Sequence, residues 1–334
     1  MRKKFIKILF YSLPVPVIIF SLFIGASKTV SINDIYSLFI SLFSDNSIAD
    51  EKFELVRSIV INVRLPRVLL TFLVGGALAV SGCSIQSIFR NPLTDPYILG
   101  LSSGAAFGAS LALAYTFLPV QVSAFVFGMI AVGLSYFLAR KRKNVSTVSL
   151  ILAGIIVTGI FTALLTLVQF FSDPFKLQSI VHWTMGNLHN ATWAKLKTSI
   201  IPVSLGVFVL FIYSWRMNVL AMGDDEAKTA GLNPDRDKLI ILTATALATS
   251  SAVAVAGIIG LYGLIVPHMI RMMIGMDNRL SIPLNFLFGG VFLLVIDNFS
   301  RSFSGFEIPI GVFTMLIGAP FFIYLMKKTN IGWE

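Results

Sequence analysis

Asp297 and Arg301 stand four residues apart at the end of the apolar run Ile282 to Phe299. On a helix that spacing puts carboxylate and guanidinium on one face, where the acid can hold the arginine in place. Arg57, Arg64 and Arg67 cluster ahead of another apolar run. Arginine's planar fork of donors suits the carboxylates of a partner protein, and lipid headgroups are the plainer alternative. Elsewhere the candidates for chemistry thin out. Gly100-Leu-Ser-Ser-Gly104 matches the hydrolase G-x-S-x-G pattern, but no strand precedes it. With Gly108 it makes a ridge of glycines four apart, which favours close helix packing over nucleophilic catalysis. His182, His189 and His268 have no metal-ligand spacing, and Cys83 is alone, so neither a metal site nor a disulfide framework is expected. No G-xxxx-G-K-[ST] phosphate loop occurs, so the chain is not expected to bind ATP by itself in the usual way. Nothing in this set reads as an enzyme.

The elements that must position these residues are set by composition. A mean hydropathy of +0.85, with 56% hydrophobic and 13% charged residues, lies outside what a water-facing surface can carry. The chain therefore reads as an all-α polytopic membrane protein, a single domain over 1–334. About ten apolar stretches occur: Phe5 to Gly25, Val68 to Gly82, Tyr97 to Tyr115, Val122 to Ala139, Val148 to Phe171, Ser199 to Tyr213, Leu239 to Ala256, Ile258 to Ile274, Ile282 to Phe299 and Ile308 to Met326. Backbone amides in hydrocarbon must bond within their own segment, so these are helices. From Leu239 to Ile274 one helix would run about 54 Å, too long for one crossing. A break is predicted over Gly257, Gly260, Gly263 and Pro267, where backbone freedom and a missing donor coincide. The basic Met1-Arg-Lys-Lys ahead of the first run also imitates a signal peptide, but the run is long and nine more follow, so a retained span is expected.

Orientation follows from lysine and arginine. With the N-terminus inside, the cytoplasmic set is Arg2, Lys3, Lys4, Lys7, Arg90, Arg140 to Lys143, Arg216, Lys228, Arg236, Lys238, Arg271, Arg279, Lys327 and Lys328, which is seventeen of the twenty-six basic residues. Both termini are thus predicted to be cytoplasmic. This bias accounts for most of the net charge of +10 without nucleic acid. Only Asp297 among the sixteen acidic residues falls in a predicted span, which argues against an ion-coupled secondary transporter, the main alternative class. In the cytoplasmic loop 214–238, Asp224 and Asp225 can cap a short helix ending at Gly231, a unit suited to docking in a groove of another protein.

Several long motifs then resemble one family, the permease subunits of ATP-driven importers for ferric siderophores, haem and cobalamin. They are Arg64-Leu-Pro-Arg67, Leu73-Val-Gly-Gly-Ala-Leu-Ala-Val-Ser-Gly82, Arg90-Asn-Pro-Leu-Thr-Asp-Pro96, Trp183-Thr-Met-Gly-Asn-Leu188, Gly263-Leu-Ile-Val-Pro-His-Met-Ile-Arg271 and Glu307 to Pro320. Glu226-Ala227-xxx-Gly231 is similar to the signature by which such permeases insert a helix into their ATPase. Thr94, Tyr262 and Ala230 depart from common family residues.

The resemblance implies a non-catalytic membrane subunit working as a homodimer, or beside a close paralogue, in a bacterial or archaeal cell membrane. Two separate ATPase chains would bind ATP and magnesium, and one extracytoplasmic binding protein would deliver the ligand. It implies binding-protein docking on Arg64, Arg67 and Arg301, supported by Asp297. ATPase coupling would fall to Asp224, Asp225, Glu226, Ala227 and Gly231, and the outer gate and path, within 172–190 and the start of the last span, to Trp183, Gly186, Asn187, Pro309 and Gly311. The implied cargo is a ferric siderophore or similar bulky metal chelate, with haem and cobalamin as alternatives.

Overall fold

The computed structural model describes residues 2–25, 31–41, 51–116, 118–141, 144–302 and 307–328. Arg142 and Lys143 of the basic run lie outside them. Among the described residues, six helical stretches are long and apolar enough to cross a membrane: Glu51–Ile88, Val120–Ala139, Thr147–Phe171, Trp193–Ile212, Pro234–Ala256 and Asn278–Ser302. Four shorter apolar helices, Pro14–Phe23, Leu101–Tyr115, Tyr262–Ile274 and Ile310–Phe321, fall in the remaining predicted stretches.

The first stretch is two helices, α1 (Arg2–Ser12) and α2 (Pro14–Phe23), jointed where a proline opens the second. Phe10 packs on Ile270, Ile274 and Leu284, and Leu22 on Val68 and Leu294. The segment packs against α5, α14 and α15 (all below). Short helices α3 (Ile32–Ser41) and α4 (Glu51–Ile59) pair through Ile35, Leu38 and Val56. A π-turn, Val60–Arg64, joins α4 to α5 (Leu65–Ile88) without a break. The second stretch is therefore a helix of 38 residues, about 57 Å long at 1.5 Å per residue, well beyond the predicted span. Its α5 part is buried on every side, and α15, α13 and α14 (below) pack around it.

A capped turn, with Asp95 accepting from the Tyr97 amide and Gly100 left-handed, leads into α6 (Leu101–Tyr115). The glycine ridge of α6 lies against α7 (Val120–Ala139): a Cβ on Gly104 would strike Phe127, one on Gly108 the Ser123 carbonyl. Ser103 Oγ donates to its own Gly100 carbonyl. The next helices start where side-chain oxygens cap free amides: Ser146 for α8 (Thr147–Phe171), Asp173 for α9 (Pro174–Thr184) and Thr192 for α10 (Trp193–Ile212). Helices α11 (Ser214–Met222) and α12 (Asp224–Thr229) follow, then α13 (Pro234–Ala256), capped by Asn233.

The predicted break is present: α13 stops at Ala256, and α14 (Tyr262–Ile274) begins after Gly257 (φ 72°) and Leu261 (φ 61°). Pro267 lies inside α14 rather than at the break. The positive backbone angles make the interruption, and the proline only removes one bond within the helix. Last come α15 (Asn278–Ser302) and α16 (Ile310–Lys328). One further expectation is corrected: Asp237 is 1% exposed within α13, so Asp297 is not the only acid on a spanning helix. The helix begins at its Asn233 cap, ahead of the apolar run that marked its predicted start.

Candidate functional sites at the two ends of the bundle

Helix α5 runs from one end of the bundle to the other, with Arg67 in its first turn and Arg90 just past its last. At the Arg67 end, a buried ionic cluster ties three segments together. Arg67 reaches Asp297 Oδ1 through Nη2 and Glu307 through Nη1, each at 2.8 Å. Asp297 also lies 3.1 Å from Arg301 Nε, the helical pair its spacing predicted. Arg301 Nη1 donates to the Ile24 carbonyl at 2.8 Å, and Arg64 Nη1 donates to the Leu22 carbonyl at 2.9 Å. Arg64, Arg67 and Arg301 are 4%, 6% and 3% exposed. All three guanidiniums are thus engaged inside the bundle rather than presented at its surface. The end of α2 leaves carbonyls without helical partners, and two of the arginines fold inward to satisfy them, while Arg67 turns to two carboxylates.

Beside this cluster the predicted gate residues converge. Helix α9 ends at Thr184, and the chain turns at Gly186 (φ 70°), so that Asn187 N donates to the Ala256 carbonyl at 2.7 Å. Gly311 N, at the start of α16, donates to the Gly186 carbonyl. A Cβ on Gly186 would strike the Ile258 carbonyl, one on Gly257 the Trp183 carbonyl, and one on Gly311 the Met185 carbonyl. Three backbones thus meet where only glycine fits. Pro309 precedes this junction and borders a small hollow with Arg67, His189 and Glu307. Gly186→Ala combines a disfavoured backbone angle with that clash and is expected to lose about 1 kcal/mol or more of stability. Gly133→Ala on α7, whose new methyl meets open space, serves as the control in the same thermal unfolding measurement and loses none.

The turn also brings His182 and His189 within 4.8 Å, ring to ring, a pairing that their separation in sequence did not suggest. Burial, then the neighbouring His182, lowers the His189 pKa. Among the described residues no three His, Cys, Asp or Glu side chains gather to hold a metal ion.

At the opposite end, α12 is a six-residue helix whose ends are fixed differently from expectation. Neither Asp224 nor Asp225 caps it; Gly223 occupies that position. Asp224 instead bridges two helices, pairing with Arg90 after α5 and with Lys238 Nζ of α13 at 2.6 Å. Arg90, itself left-handed (φ 53°), also donates from Nε to the Leu220 carbonyl at 3.1 Å. Asp225 points outward, paired with Lys228 at 2.9 Å, and that ammonium lowers its pKa. Glu226 is exposed and Ala227 fully buried. The predicted stop at Gly231 is a Schellman closure: Leu232 N donates to the Ala227 carbonyl and Gly231 N to the Lys228 carbonyl, both at 2.9 Å, with Gly231 at φ 79°.

The sequence reading missed Arg90 and Lys238 as anchors, and also the neighbouring locks. Arg216 pairs with Asp237 at 2.6 Å. Asn218 Nδ2 donates to Asp277 at 2.7 Å, and Arg279, chiefly, together with Asn218 holds the Asp277 carboxyl down at about 2. Cys83 is fully buried, 3.5 Å from Asn278.

The profile of the FecCD transport family matches residues 13–328. The chain belongs to that family. It is similar to the molybdate import system permease protein MolB of Haemophilus influenzae, 39% identical over 279 residues and 83% of each chain. It is 38% identical to the cobalamin import system permease protein BtuC of Halobacterium salinarum, over 83% of this chain and 76% of that one. A solved structure described as an inward-facing conformation of a metal-chelate type ABC transporter superposes with a TM-score of 0.83 at 37% identity, covering 97% of this chain and 99% of that one. This FecCD chain is therefore an ABC importer permease, a membrane subunit of a prokaryotic transport system.

Proposed function

We propose that this permease carries a bulky metal chelate, a ferric siderophore in the first instance, along a path shared with a second copy of itself. The observation that carries the coupling half of this reading is the anchorage of α12. A short helix with Asp225, Glu226 and Lys228 exposed is bolted through Asp224 to the ends of α5 and α13. A push on its exposed face therefore reaches two central helices without first bending a loop. Two ATPase chains, which bind ATP and magnesium, would seat on this face at the cytoplasmic side, with both termini of the permease on that side.

The glycine junction beside α9 would then be the outer gate, opening where the chain turns at Gly186. A binding protein would dock at that end. Because the guanidiniums of Arg64, Arg67 and Arg301 are already engaged, their part would be to hold the docking face in shape. The cargo assignment is supported by the metal-chelate transporter that superposes over most of the chain. The molybdate relative supplies the second candidate. Proteoliposomes holding the permease, its ATPase and its binding protein should accumulate iron-55 presented as a siderophore chelate in an ATP-dependent way. Accumulation of molybdate but no chelate would transfer the assignment to oxyanions, and uptake without ATPase would overturn the coupling.

A further inference from the structure

A cavity of about 540 Å³ opens behind the gate helix, between α9, the start of α7, the start of α10 and the end of α13. Its volume falls in the range of small-molecule sites. The wall is rich in hydrogen-bonding groups: Gln121, Gln178, Ser179, His182, Asn190 and Lys195. No aspartate or glutamate lines it. Among the described residues, no carboxylate lies within ion-pair distance of Lys195, and Lys195 Nζ, Gln121, Gln178 and Asn190 make no side-chain hydrogen bond within the chain. A partly buried ammonium with no counter-charge, beside solvent-reachable amides, leaves a set of donors free to take an anion. The contrast with the neighbouring cluster is informative, since there each of two buried arginines has a carboxylate beside it.

We infer that this cavity is a binding site for an oxygen-rich anion, with Lys195 as its cation and the amides of Gln121, Gln178 and Asn190 as neutral donors. The size favours an anionic metal chelate over a bare tetrahedral oxyanion, which would leave most of the space to water. Its place beside Trp183 and Gly257 of the glycine junction makes it a holding site next to the gate, an assignment that rests on the importer reading. Bound anion would pull Gln178 and His182 of α9 toward Lys195 of α10 and steady the gate helix.

The test uses the purified full-length permease in phosphatidylcholine nanodiscs, titrated with ferric citrate, with sodium molybdate and with cyanocobalamin as a bulky probe of zero net charge whose one anionic group is a phosphodiester. Trp183 lines the cavity, so its fluorescence reports occupancy, and Trp183→Phe identifies the signal. Ferric citrate should bind. Lys195→Met should weaken it about tenfold or more, the usual cost of losing a charge-assisted contact, while Lys195→Arg stays close to wild type. Molybdate binding with the same lysine dependence would place a bare oxyanion in the site and support it equally. Binding unchanged in Lys195→Met, no response to either anion, or a preference for cyanocobalamin would each overturn the proposal. ATP hydrolysis by the assembled complex is read separately: coupling retained while anion binding is absent sinks the site and leaves the importer reading standing, and the reverse result does the opposite.

Discussion

Asp297→Asn is expected to destabilise the permease by about 3–5 kcal/mol, the range found when one partner of a buried ionic group is removed. Asp297 is fully buried and touches both Arg67 and Arg301. Asparagine keeps the shape but removes the charge, leaving Arg301 buried without a carboxylate beside it and Arg67 with Glu307 alone, which is itself partly exposed. The loss should appear as a lower midpoint of thermal unfolding in detergent. Lys228→Ala, which breaks a pair on the surface of α12, should leave that midpoint unchanged. Adding Arg301→Met to Asp297→Asn should recover part of the loss, because an unpaired buried charge goes with it. A wild-type midpoint for Asp297→Asn would show that the cluster is hydrated and contributes little.

The largest functional effect is expected from Gly231→Pro, which should abolish the stimulation of ATP hydrolysis by loaded binding protein. Gly231 sits at φ 79° and donates its amide to the Lys228 carbonyl. Proline is locked near −65° and has no amide hydrogen, so both halves of the Schellman closure fail. The surface of α12 would then lose its fixed angle to α13. Gly231→Asn, a residue that tolerates the left-handed region, should retain most of the stimulation. Asp224→Ala, which frees Arg90 and Lys238 together, should act like the proline even though α12 keeps its own hydrogen bonds. That separation distinguishes a loosened lever from a melted one. Full stimulation in Gly231→Pro would remove α12 from the coupling path.

The membrane class and the break near Gly257 were legible because each depends on local physics, hydropathy and backbone freedom, whereas the caps at Thr192 and Asn233 start α10 and α13 ahead of the apolar runs that marked them. The Asp297–Arg301 contact was legible for the same reason, being one helical turn long. The family itself was carried by motifs distributed along the chain, and the FecCD match covers that same stretch. Tertiary structure alone decided which carboxylates Arg67 and Arg90 meet and which way Arg64 faces. Arg67 finds Asp297 and Glu307 from 230 and 240 residues away, and Arg90 finds Asp224 from 134 away. Such pairings depend on how whole helices cross, which no local spacing encodes. A charge count could leave Arg64, Arg67 and Arg301 outside the cytoplasmic set; it could not see that the end of α2 and two acids had already claimed them.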